Sequence, residues 1–185
     1  MTIERVRQKH YPKAEIGRRG LALGLDFIVV WLISSLLGSG NIGIQFAQIL
    51  VFIIGWLVLR VVLAYNNQGQ SLGRWAFDLK VLEVEDGQVV GRIPDLQALS
   101  KREAIIGCGA LLVAVALTNI RANPTAILLI LPLAIDCSAA FSDTQMRQAW
   151  HDRYAGTFIV SSRRGYSLDI KVKRLLDNVR RNVRR

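Results

Sequence analysis

Three charged side chains, Asp26, Arg60 and Asp136, stand inside stretches that are otherwise apolar. A charge in hydrocarbon costs ~2.5–3.5 kcal/mol on insertion scales, so each needs a partner or a task. A carboxylate held there can exchange a proton or cation with water, or it can form an ion pair that fixes helix packing. Counting removes other chemistry. The two histidines are His10 and His151, and the two cysteines, Cys108 and Cys137, lack CxxC spacing. That leaves no three-histidine zinc centre, no bis-histidine haem and no disulfide framework, so no metal and no cofactor is expected. GxGxxG after a strand, P-loop, HExxH and GxSxG patterns are absent. Adjacent residues such as His151 and Asp152 seldom face each other on a helix, and no nucleophile is tied to them. No catalytic residue is assigned, and the chain reads as non-enzymatic.

The elements that position these charges follow from composition. Of 185 residues 51% are hydrophobic and 21% charged, with a formal net charge of +10. A mean hydropathy of +0.30 fits that charge content only if the charges are segregated, as they are. Four stretches approach the ~20 apolar residues needed to cross a bilayer: 20–37, 44–65, 104–120 and 125–141. Short connections make each successive pair a helical hairpin. Lys and Arg number six before the first stretch, five between the second and third, and eleven after the fourth, against one, Arg121, in the two short turns. The positive-inside rule then places both termini and the central loop in the cytoplasm. Because the first apolar stretch contains Asp26 and follows nineteen residues of charged arm, it reads as a retained anchor in a bacterial-type cytoplasmic membrane, not as a cleaved signal.

Helix rise converts these positions into depths. Asp26 lies seven residues beyond Arg19, roughly 10 Å from the cytoplasmic face, with Arg60 and Asp136 roughly 9 Å from it on returning helices. Arg19, Asp26, Arg60 and Asp136 therefore form one expected intramembrane cluster. A self-neutralising structural cluster is the leading reading, because the arginines beside the carboxylates repel cations; an exchanging ion site is the alternative. Gly20 with Gly24, and Ala110 with Ala114, have the small-xxx-small spacing that seats a neighbouring helix.

Between the second and third spans, residues 75–93 have strand character. Phe77, Leu79 and Val81 alternate, Asp86-Gly87 is a turn dipeptide, and Val89-Val90 resumes, which is the pattern of a β-hairpin. Thr157 to Val160 could add a third strand. Pro94 is expected in the first turn of a helix that runs polar through Arg102 before the third span. In the tail, residues 161–185, Leu168, Val172, Leu175, Leu176, Val179 and Val183 make one helical face, while Lys171, Lys173, Arg174, Arg180, Arg181, Arg184 and Arg185 cover the rest. Such a helix suits an anionic lipid surface. With no aromatic after Tyr166 to stack on bases, nucleic acid is not an expected partner.

Arg19-Gly-Leu-Ala-Leu-Gly-Leu-Asp26 resembles the opening of the RDD family of membrane proteins. Gly69-Gln-Ser-Leu-Gly73-Arg74 with Leu79-Lys-Val81, and Arg147-Gln-Ala-Trp-His151-Asp152-Arg153-Tyr-Ala-Gly156-Thr157, resemble its later motifs in the same order, over residues 16–160. The resemblance implies that Arg19 is the family's arginine, Asp26 its first aspartate and Asp152 its second. Asp136 competes for that last role, since its depth suits it as a partner of Arg60. It also implies two functional classes, cation/proton antiport by a dimer and membership of a membrane assembly. The expected architecture is an all-α membrane protein: a basic arm (1–19), a four-helix transmembrane domain (20–160) with a small cytoplasmic β-hairpin, and a basic amphipathic tail (161–185). As function, an accessory or assembly module against a membrane-protein partner leads, and a small oligomeric antiporter is the alternative.

Overall fold

The computed structural model of the protein describes residues 11–36, 45–85 and 88–162, with positions 168, 170 and 172. Among the described residues four helices are long and apolar enough to cross a membrane: α1 (Ile16–Leu36), α2 (Phe46–Asn66), α4 (Leu96–Asn119) and α5 (Pro124–Ser142). The short helices α3 (Leu72–Ala76) and α6 (Trp150–Tyr154) follow α2 and α5. At 1.5 Å per residue each long helix spans roughly 28–36 Å, enough for the hydrocarbon core. The basic tail positions Lys171, Lys173, Arg174, Arg180, Arg181, Arg184 and Arg185 lie outside the described residues, as does the Asp86-Gly87 turn.

α4 is regular from a defined cap, whereas α5 and α2 each depart from regular α-helix. Asp95 takes the N-cap of α4 and accepts a hydrogen bond from the Ala98 amide at 2.6 Å, so Pro94 sits one residue before the cap and not inside the first turn. α4 then runs unbroken from its polar start at Leu96 through Arg102 into the apolar stretch that begins at Ala104, as expected. α5 opens as a 3-10 helix, Pro124–Ile130, and becomes α-helical only from Leu131, where Pro132 supplies no amide to the preceding turn. Within α2, Val58–Val62 form a π turn, a single wide turn of the kind found at functional positions, and it carries the buried Arg60.

The middle of the bundle is apolar. Val30, Phe52, Trp56, Ile106, Ala110 and Ala114 form one buried cluster joining α1, α2 and α4. Ala110 and Ala114 are the small pair that lets α4 approach the rings of α2. Gly20 and Gly24 behave differently: a Cβ at either would meet nothing within 4 Å, so among the described residues no helix is seated on them. Leu32, Ile33, Leu50, Ile54 and Ile135 are half or more exposed on outward faces, as lipid-facing side chains are.

A three-stranded antiparallel sheet of β1 (Leu79–Glu85), β2 (Gln88–Val89) and β3 (Thr157–Ser161), in the order β2-β1-β3, closes one end of the bundle. The expected hairpin and the third strand are both present, with Val81 opposite Ile159 and Leu82 opposite Phe158. Lys13 bridges the outer side of β3 at Val160, so the end of the N-terminal arm adds to the sheet edge. Leu79, Val81 and Ile159 pack with Ala22, Val61 and Leu99, which come from the ends of α1, α2 and α4. Tyr65, Trp75, Trp150 and Tyr154 are exposed on α2, α3 and α6 at this end, where a belt of amphipathic rings suits a membrane–water boundary.

Candidate functional site

The sheet end of the helices holds a belt of buried charge. Asp26 is fully buried and accepts three hydrogen bonds, from Arg60 Nη1 at 2.7 Å, Ser71 Oγ at 2.6 Å and the Gly73 amide at 2.6 Å. Two of these donors belong to the Gly69–Arg74 stretch. Ser71 caps α3, and Gly73 brings the α3 backbone so close to α1 that any Cβ there would collide with the Ala22 carbonyl oxygen. Gly69, at φ +80°, donates no side chain to the tight crossing beside Val81, whose amide it accepts at 3.1 Å, a conformation that favours glycine. Gln70, also buried, donates to the Leu79 carbonyl at 2.7 Å and ties the same stretch to β1.

Arg60 joins Asp26 to a second carboxylate, Glu103, with Nε–Oε2 at 2.6 Å and Nη2–Oε1 at 3.4 Å. Its guanidinium lies 5.0 Å from the centre of the Trp56 ring, a cation–π contact, and the Trp56 indole donates to the Glu103 carbonyl at 3.3 Å. Glu103 also receives Arg102 Nη1 at 3.0 Å and Arg74. Arg102 reaches onward to Asp152 at 2.8 Å. Asp152 is further bonded to Arg19, whose other nitrogen donates to the Arg147 carbonyl, and accepts the Ala149 amide at 3.3 Å. The chain of pairs therefore runs Asp26, Arg60, Glu103, Arg102, Asp152, Arg19, with Arg74 branching from Glu103.

Arg19, Asp26 and Arg60 thus fall in one network as their depths suggested, and Asp136 stands apart from it. Asp136 accepts the His151 amide at 3.0 Å and pairs with the His151 ring; Arg60 takes Glu103 as its second carboxylate instead. His151 Nε2 is 3.5 Å from Asp152, so the histidine links Asp136 to the margin of the belt. The two neighbours His151 and Asp152 point to different partners on α5 and on α4 with α1. Thr157 Oγ1 lies 3.4 Å from Asp152, and Gly156, at φ +60°, turns the chain from α6 into β3.

Electrostatics divide the belt into satisfied and unsatisfied members. Burial would push the Asp152 carboxyl up, but Arg102, with His151 and Arg19 behind it, holds it well below the ordinary carboxylate range. Arg74 is the opposite case. Burial, then repulsion from Arg60 and Arg102, lowers its guanidinium to about 9, the pull of Glu103 and Asp26 notwithstanding; it still carries its proton at pH 7. Its Nη1 is buried with no hydrogen-bond partner among the described residues.

Glu103, Arg102, Arg74 and Ser71 are the members that the reading of isolated intramembrane charges passed over. Glu103 and Arg102 sit at the head of the third apolar stretch and read as loop charges. The available signal was the continuity of α4, which carries an acid a full turn or more inside the helix. Among the described residues no group of three or more His, Cys, Asp and Glu is placed to hold a metal ion.

The model of the RDD family matches residues 13–156, a span that takes in every member of the belt. No curated protein and no solved structure matches the chain.

Proposed function

Because the chain belongs to the RDD family of membrane proteins, we propose that it is a non-catalytic membrane module whose arginine–carboxylate belt locks four spans to a small sheet, and which serves as an accessory or assembly component beside a membrane-protein partner. The observation that carries this reading is the saturation of the carboxylates. Asp26 has three donors within 2.7 Å, Glu103 is shared by three arginines, and Asp152 by two. An exchanging cation needs oxygen lone pairs that are free in at least one state, and it meets repulsion from the four guanidiniums of the belt. A structural clamp needs the arrangement found here, in which pairing and hydrogen bonding offset the desolvation of buried ions.

The alternative, a small oligomeric cation/proton antiporter, is separated by transport itself. The purified full chain in liposomes is expected to give no sodium- or potassium-dependent proton flux above that of protein-free liposomes. Flux that disappears in Asp26→Asn at unchanged protein level would sink the structural reading.

Orientation follows from charge. Lys13, Arg18, Arg19, Arg153 and the central loop lie at the sheet end, so the positive-inside rule puts that end in the cytoplasm and the Arg121 turn outside. A reporter active only outside the cytoplasm should be bright when inserted at Asn123 and dark at Ser162. The reverse pattern would invert the topology.

A further inference from the structure

Beside the belt lies a cavity of about 400 Å³ between the start of α1 and the end of α5, within the ~300–1,000 Å³ range of small-molecule sites. Arg19, Arg60, Arg74, Arg102 and His151 line it, and among the described residues no Asp or Glu does. Four arginines of the belt thus border it. One of those is unpaired: Arg74 is 2% exposed and its Nη1 has no hydrogen-bond partner among the described residues. An unpaired buried guanidinium nitrogen is costly unless an acceptor reaches it. The remaining wall is apolar, formed by Leu23, Ile106, Ala140 and Phe141, with Gly17 and Gly20 leaving open space along α1.

We propose that this cavity binds an anionic lipid, its phosphate accepting hydrogen bonds from Arg74 Nη1 and the neighbouring arginines and its acyl chain laid against Leu23 and Phe141. A phosphate oxygen supplies the acceptor that Arg74 lacks, and arginine is the side chain best matched to that group. The apolar wall supplies what a free phosphate ion would not use. A cation is excluded from the cavity by the same guanidiniums.

The test uses the full chain, purified in a neutral detergent and freed of lipid, with its thermal unfolding followed as lipid is added. Phosphatidylglycerol should raise the midpoint by roughly 5 °C or more once in hundredfold excess over its Kd. Phosphatidylcholine of equal chain length, and inorganic phosphate at the same concentration, should leave it unchanged. Gly20→Leu is the informative variant, since a Cβ there meets nothing within 4 Å. It should unfold at the wild-type midpoint without lipid, because its side chain enters open space, and should lose the response to phosphatidylglycerol. Gly17→Leu, equally unobstructed, repeats the test if the first variant is poorly folded. Both variants keep the basic residues of the tail, so a full response that survives in them belongs to the surface and overturns the cavity site. An equal response to phosphatidylcholine, or a response to phosphate alone, overturns the anionic lipid as its occupant.

Discussion

Glu103→Gln is expected to be the most damaging conservative change outside the sheet. The amide keeps the shape of the side chain and removes the charge that Arg60, Arg74 and Arg102 share. Three guanidiniums, each 1–3% exposed, would then face one another around a single neutral acceptor. Removing one partner of a buried ion pair costs about 3–5 kcal/mol, and a total folding stability of about 5–15 kcal/mol leaves little after that loss. The measurement is the unfolding midpoint and yield of the full chain in detergent. Glu85→Gln is the control: Glu85 pairs with Arg92 at 3.0 Å, but both side chains are 63% exposed, and exposed pairs of this kind contribute little. A Glu103→Gln protein as stable and abundant as the Glu85→Gln control would contradict the account of Glu103 as the hub.

The contrast between those two glutamates also explains what the sequence could and could not reveal. Hydropathy and length marked the four spans within a few residues at most ends, because a bilayer core demands a fixed run of apolar side chains and nothing local competes with it. β1 and β3 were legible for a similar reason: alternation around Leu79 and Val81 survives in the fold as a face packed on the helix ends. Depth arithmetic brought Asp26 to Arg60, since both distances were counted from the same surface along regular helices.

Counting failed where the chain stops being regular. Asp136 lies at the depth of Arg60, but α6 folds back over the end of α5 and brings the His151 amide and ring to it. That return depends on the positive φ of Arg147, 54°, and on the Asp143 carboxylate accepting the amides of Gln145, Met146 and Gln148 at 3.0–3.1 Å. Neither is visible as periodicity. Glu103 was hidden by the opposite problem, a charge at the edge of an apolar run that is inside the protein although its neighbour Lys101 is exposed. The role of Gly73 is likewise tertiary, set by the Ala22 carbonyl on another helix.

The second large effect is the loss of Asp26, and it leads to the measurement that tests the central claim. Asp26→Asn leaves Arg60 with Glu103 alone and weakens the two remaining bonds, from Ser71 and Gly73, by removing the charge they are made to. It should destabilise the chain by about 3 kcal/mol or more, and Arg60→Gln should do so comparably because Asp26 and Glu103 both lose a donor. Joined in one chain, the two changes remove the pair together and leave no stranded partner between α1 and α2, while Glu103 keeps Arg74 and Arg102. If the belt is a structural clamp, the double variant Asp26→Asn/Arg60→Gln unfolds with about 1–3 kcal/mol less destabilisation than the sum of the single changes. Strict additivity, with Asp26→Asn as stable as wild type, would contradict the clamp and return Asp26 to the role of an exchanging carboxylate.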